Sequence, residues 1–375
     1  MKNKNDLHTF ALICKNDIRN IEKGVLMKLS SVGLVVAVVI LTVLAAWCPH
    51  SGTMMLTHKW DKVFTQNDNV MNRKVTFMNR YGVTLVGDLY IPKNKGKEKM
   101  AAIVVAGPFG AVKEQVSGLY AQTMADYGFV TLAFDPSFTG ESGGKIRDVA
   151  SPDINTEDFS AAVDYLTTLP YVDANKIGVL GICGFGGFAL NAASMDTRIK
   201  ATVTSTMYDM TRVTAHGYND SLSPADLYKQ RVALNSQRTL DAKFKTIAKT
   251  KPLPNIDELN KDTPQFIKDY VLYYKTKLGY HKRSVASNRG WNTTSALSLM
   301  TMPILTYANT IKSAVLMVHG EKAHSRYFSE DAFAKLRGDN KELLIVPGAN
   351  HTDLYYRTDV IPFNRIRKFF EKYLR

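Results

Sequence analysis

The 375-residue sequence predicts an α/β fold, a doubly wound and mostly parallel sheet with a helical cap insertion, preceded by an N-terminal apolar segment. Three observations carry this. From about Asn72 onward, short continuous apolar runs alternate with segments of helical spacing. That rhythm stops between Tyr208 and Thr310, where the chain is polar, aromatic-rich and without a run of core-strand type. It resumes at Ser313 with another apolar run.

In order, "KVTFMN" and "TLVGDLYIP" alternate in polarity around the turn "RYG" and read as an antiparallel hairpin. "AAIVVAG" (Ala101 to Gly107) is continuously apolar, as a strand covered on both faces must be. A helix is expected from about Gly118 to Tyr127, then a buried strand "FVTLAFD" ending in Asp135. "TEDFSAAVDYLTTLP" has helical spacing, with Thr156 as N-cap and Pro170 as stop. "KIGVLGI" runs into "CGFGG" and the small-residue stretch "FALNAASM", which suits a helix packed closely on a sheet. "KATVTST", "SAVLMVHG" and "ELLIVPGA" supply further strands; "SEDAFAKLRG" and a segment from about Val360 supply helices. The expected division is 1–50 for an N-terminal extension and targeting segment and 72–375 for the sheet domain, with 208–310 inserted as a cap.

"SVGLVVAVVILTVLAAW" (Ser31 to Trp47) carries no charge and has the length of a short membrane-spanning helix. Lys23 and Lys28 precede it, so its N-terminal side faces the cytoplasm and the domain is expected outside the cytoplasmic membrane. It reads as a signal cleaved near Ala45 or Ala46, or as an uncleaved membrane anchor; a start at Met27 would make it signal-like. The competing reading is a buried core helix, which would leave the protein cytoplasmic.

Net charge is +14, yet Lys and Arg are scattered and no basic stripe interleaves with aromatics, so nucleic acid is not an expected partner. The cysteines, Cys14, Cys48 and Cys183, form neither a disulfide framework nor metal-ligand spacing. With no Walker or GxGxxG pattern, no cofactor or metal is expected.

The chemistry centres on "GICGFGG". Cys183 follows an apolar strand and precedes a small-residue helix, where a helix N-terminus would stabilise a thiolate. A buried inert thiol, or a register with Gly184 at the turn, fits the same residues. Four more segments accompany it: "AGPFG" after the first buried strand, "FDPSFTGESGG", "HGEKAHS" and "GANH". Together they resemble the α/β-hydrolase superfamily, and within it the dienelactone-hydrolase-like branch, over about Val75 to Arg375.

That resemblance implies Cys183 as nucleophile and His351 as general base, with His319 and His324 as weaker competitors for the base. It implies backbone N–H groups of Phe109 and Gly184 as the oxyanion hole, since Pro108 has none. Ala323 stands where the triad acid is usual, which leaves Glu321 as the candidate and Asp353 and Asp135 as alternatives. Phe185 stands where a small residue is usual. The implied function is a hydrolase of an ester, lactone or thioester working through a cysteinyl acyl-enzyme on a small-molecule acyl substrate. An acyltransferase on the same intermediate, and an inactive membrane-tethered binding module, are the alternatives.

Overall fold

A computed structural model describes residues 56–374, apart from 95 and 97. The segment Ser31 to Trp47, Cys14 and Cys48 lie outside these, so the targeting and anchor readings do too. Among the described residues no helix is long and apolar enough to cross a membrane.

Strands β1 (Val70–Met78) and β2 (Thr84–Pro92) form the antiparallel hairpin, turning through Gly82 at φ +75°. β1 is an edge, and its burial alternates as a half-covered strand requires. Then follow β3 (Met100–Ala106), α1 (Val116–Asp126), β4 (Val130–Asp135), α2 (Pro152–Thr167), β5 (Val172–Ile182), α3 (Gly184–Met195) and β6 (Ile199–Ser205). α2 starts five residues earlier than Thr156 as N-cap would place it, because Pro152 is pre-set for the first helical turn and Ser151 precedes it in extended conformation. Thr156 instead returns its Oγ1 to the Pro152 carbonyl, 2.6 Å away.

Residues 208–310 hold α4 (Met210–His216), α5 (Pro224–Phe244), α6 (Gln265–Tyr274), α7 (Val285–Asn288) and α8 (Ser295–Thr301). The chain returns to the sheet with β7 (Ala314–Gly320), α9 (Arg326–Lys335), β8 (Lys341–Val346), α10 (Asp353–Tyr356) and α11 (Phe363–Tyr373). The eight strands lie in the order β1-β2-β4-β3-β5-β6-β7-β8, antiparallel at β1–β2 and β2–β4 and parallel beyond.

Alternate residues of β3 feed opposite faces. Ala102, Val104 and Ala106 join one apolar cluster with Phe159, Phe188 and Phe328 of α2, α3 and α9. Ile103 and Val105 join another with Tyr120 and Phe369 of α1 and α11. Helices on both faces explain why β3 and β7 read as continuous apolar runs. The strand order reverses at β3: the chain moves from β3 to β4 on one side, then to β5 on the other. A crevice beyond the strand ends opens at such a switch point, and the loops after β3 and β5 supply Phe109 and Cys183 to it.

Candidate active site

Cys183 occupies the one-residue turn between β5 and α3, at φ 54° and ψ −125°. That backbone is strained for a residue with a Cβ, at a cost of about 1–3 kcal/mol. It is held by the Cys183 N–H to Ser205 O bond at 3.0 Å and by N–H groups of Gly186 and Tyr208 on the Cys183 carbonyl, each at 2.9 Å. The turn therefore centres on Cys183 and not on Gly184. A Cβ on Gly181 would come 2.2 Å from the Phe185 carbonyl oxygen, and one on Gly184 would come 2.8 Å from Phe109 Cβ. Phe185 is tolerated because its ring turns inward, 5.2 Å from Phe188 and 6.2 Å from Phe159.

The Cys183 thiol accepts the backbone N–H groups of Phe109 and Gly184 and shares a hydrogen bond with the Tyr355 hydroxyl. Burial outweighs these three contacts and pushes its pKa up. The expected helix-terminus stabilisation of a thiolate does not prevail over that burial.

The oxyanion-side loop after β3 is clamped from two directions. Gly110 O accepts Ala286 N–H at 3.0 Å and Ser284 Oγ–H at 2.9 Å from the cap. Beneath it, the fully buried Lys113 ammonium lies 2.7 Å from each of Asp135, Glu114 and Glu141. These three carboxylates converge as metal ligands could, but the Lys113 ammonium already bridges them.

His351 lies beyond β8, buried, and no carboxylate is among its hydrogen-bond partners in the described residues. Its Nδ1 meets Thr206 Oγ1 at 2.9 Å and Ser325 Oγ more closely. Ser325 Oγ also meets His319 Nε2 at 2.9 Å, and His319 Nδ1 meets Ser329 Oγ at 2.6 Å. With His351 donating from Nδ1, Ser325 is free to donate to His319 Nε2, and His319 Nδ1–H to donate to Ser329. Burial, reinforced by His324 and His319, holds His351 well below the usual histidine pKa. Burial likewise lowers His319 to about 3 and His324 to about 4. His324 stacks on Phe266, with ring centroids 4.3 Å apart.

Glu321 is therefore not the orienting acid: its carboxylate takes the Gly348 N–H at 2.7 Å, on an exposed loop. Asp353 accepts the Asn350 N–H and faces Arg357, and Asp135 is committed to Lys113 and the Glu141 N–H. The place sought for an acid is filled by Ser325, two residues past Ala323, and by Thr206, beyond the end of β6 at φ 47°. The sequence carried a faint signal for Ser325, which sits in the same short run "GEKAHS".

Tyr355 was not singled out from sequence either. It lies one helical turn after His351, and its hydroxyl stands 3.0 Å from His351 Nε2. Thiol, phenol and imidazole thus form one connected line. A cavity of about 370 Å³ opens over it, walled by Phe109, Trp291, Tyr208, Tyr270 and Leu253. Phe109 and Trp291 stack with centroids 4.2 Å apart. Among the described residues no Asp or Glu lines this cavity, while Lys251 and Arg289 do. A larger cleft of about 690 Å³, lined by Asp209, Arg212 and Asp331, includes no member of this line.

The X-Pro dipeptidyl-peptidase (S15) family matches residues 81–353. The uncharacterized protein PA2218 of Pseudomonas aeruginosa is 58% identical over 322 residues, 86% of each chain. Its crystal structure superposes with a TM-score of 0.83, covering 85% of this chain and 99% of that one. The α/β-hydrolase GrgF from Penicillium, 19% identical, shares the fold at a TM-score of 0.65 over 81% of this chain and 99% of its own. The thiohydrolase aneE of Aspergillus aculeatus is 34% identical over 137 residues, 36% of this chain and 42% of that protein. These matches establish the α/β-hydrolase superfamily; they do not extend to the dienelactone-hydrolase-like branch.

Proposed function

The chain belongs to the X-Pro dipeptidyl-peptidase (S15) family of α/β-hydrolases, and from that premise we propose that it cleaves a carboxylic ester, lactone or thioester through an acyl-enzyme on Cys183. One observation carries the proposal: Cys183 stands on a strained strand-to-helix turn, with two backbone N–H groups already aimed at its sulfur and a histidine one hydroxyl away.

Cys183 Sγ attacks the acyl carbon, and the carbonyl oxygen, taking the electron pair, moves onto the Phe109 and Gly184 N–H groups. His351 takes up the proton and returns it to the leaving group; water then repeats the sequence on the thioester bond to Cys183. Thr206 and Ser325 fix the imidazole so that Nε2 faces the reaction.

The site favours activated acyl donors over amides. An amine leaves only after protonation by an imidazolium, and here no carboxylate stabilises one, while burial disfavours it. A dipeptidyl-peptidase must also recognise a free α-ammonium group, and no Asp or Glu lines the cavity. The likeness to the thiohydrolase aneE over part of the chain supports the thioester option.

The test is turnover of p-nitrophenyl acetate and of acetyl-N-acetylcysteamine. Cys183→Ala is expected to reduce both to the uncatalysed rate, and His351→Ala to lower kcat/KM by about 10²–10⁴. Wild-type turnover by folded Cys183→Ala would overturn the proposal.

A further inference from the structure

Tyr355 is a buried phenol for which the reaction above has no use. It is reached from Cys183 through one hydrogen bond and from His351 Nε2 through another, at 3.0 Å. No direct hydrogen bond between Cys183 and His351 is present among the described residues. Tyr355 cannot be a passing surface group: it is 1% exposed, and its ring packs at right angles to Tyr273 at 5.2 Å and edge-on to His351 at 5.4 Å. Its backbone neighbour is pinned as well, since Tyr120 donates its hydroxyl proton to Leu354 O at 2.8 Å.

Resting on the reading of Cys183 as nucleophile, we infer that Tyr355 is a catalytic residue, the relay through which the thiol proton reaches His351. His351 Nδ1–H donates to Ser325 and Thr206, which leaves Nε2 as an acceptor. The Tyr355 O–H donates to that Nε2, and the thiol donates to the Tyr355 oxygen. As the S–C bond forms, the S–H proton passes to the Tyr355 oxygen and the Tyr355 proton passes to Nε2. The carbonyl π pair goes to the oxyanion. On collapse the bond to the leaving oxygen or sulfur breaks. That atom takes the proton from Tyr355, and Tyr355 takes one back from Nε2. Tyr355 ends each half-reaction as the neutral phenol. A phenol held well above its usual pKa by burial suits this, because neither a standing phenolate nor a standing thiolate is required.

The relay explains a mismatch in the site. Burial disfavours both the thiolate and the imidazolium, and so the ion pair by which cysteine hydrolases commonly ionise their nucleophile. A double transfer coupled to bond formation avoids a standing thiolate–imidazolium pair: the imidazolium forms only together with the oxyanion that the Phe109 and Gly184 N–H groups hold.

The experiment is Tyr355→Phe in the full chain, which removes one oxygen and keeps the ring packing. Steady-state kinetics on p-nitrophenyl acetate are combined with a proton inventory in H2O–D2O mixtures. The relay predicts a fall in kcat/KM of about 10²-fold or more, with KM little changed. It also predicts a bowed, two-proton inventory in the wild type that becomes linear in the residual activity of the variant. Activity within about threefold of wild type would overturn it, and so would a linear inventory in the wild type. Cys183→Ala run in parallel separates the failures. Turnover persisting there removes the acyl-enzyme reading itself, whereas loss there beside an active Tyr355→Phe removes only the relay.

Discussion

At the scale of single residues, the orienting group of His351 marks the largest departure from the sequence expectation. Glu321 was reached by counting along a loop, a procedure that presumes a carboxylate must be present. Its carboxylate serves the Gly348 N–H, so Glu321→Gln is expected to leave kcat/KM within about twofold of wild type, because an exposed hydrogen bond contributes little. Ser325→Ala removes a buried partner of His351 Nδ1 and should lower kcat/KM by about tenfold, the equivalent of one lost hydrogen bond. Parallel kinetics of the two variants check this; the reverse order would return the role to Glu321. Cys183 and His351 were legible because Cys183 directly follows β5 and His351 lies in the loop after β8, and strand ends are readable from local pattern. Thr206 and Tyr355 were not, since a hydroxyl at a strand end or one turn along a helix has no signature until the fold brings it to the imidazole.

At the scale of elements, the loop between β3 and α1 carries the Phe109 N–H, and a buried charge network anchors it. Lys113 is fully buried among Asp135, Glu114 and Glu141; Arg283 of the cap reaches Glu114 at 2.7 Å and Asp61 at 2.8 Å. The Lys113 ammonium keeps its charge because the surrounding carboxylates outweigh the cost of burial. Removing it takes from Asp135 the cation it pairs with, while Glu114 keeps Lys74 and Arg283 and Glu141 keeps Lys74. Lys113→Met is therefore expected to destabilise the protein by about 3–5 kcal/mol, the cost of breaking one side of a buried ion network. Thermal unfolding at neutral pH checks the effect, and a melting temperature unchanged by the substitution would contradict it. The strands themselves were legible in the sequence: burial on both faces leaves continuous apolar runs. The start of α2 was misread because Thr156 offered a capping side chain, while Pro152 sets the first turn by its fixed φ.

At the scale of the whole molecule, the strand order puts the ends of β3 and β5 at the sheet's switch point, and the cap closes an apolar, carboxylate-free cavity over them. That combination supports the proposed acyl-transfer site within a family named for a dipeptidyl-peptidase activity. The architecture was legible from the alternation of strands and helices. The cavity was not, because its walls come from residues as far apart in sequence as Phe109, Leu253 and Trp291. The central claim is that the acyl group passes through the Cys183 sulfur. Intact-mass spectrometry after rapid acid quench, with p-nitrophenyl acetate as donor, tests it most directly. The account predicts a transient adduct of one acetyl group, mapped by proteolysis to Cys183, absent from Cys183→Ala and accumulating in Cys183→Ser only slowly. An acetyl group mapped to any other side chain during productive turnover, or full turnover by Cys183→Ala, would contradict it.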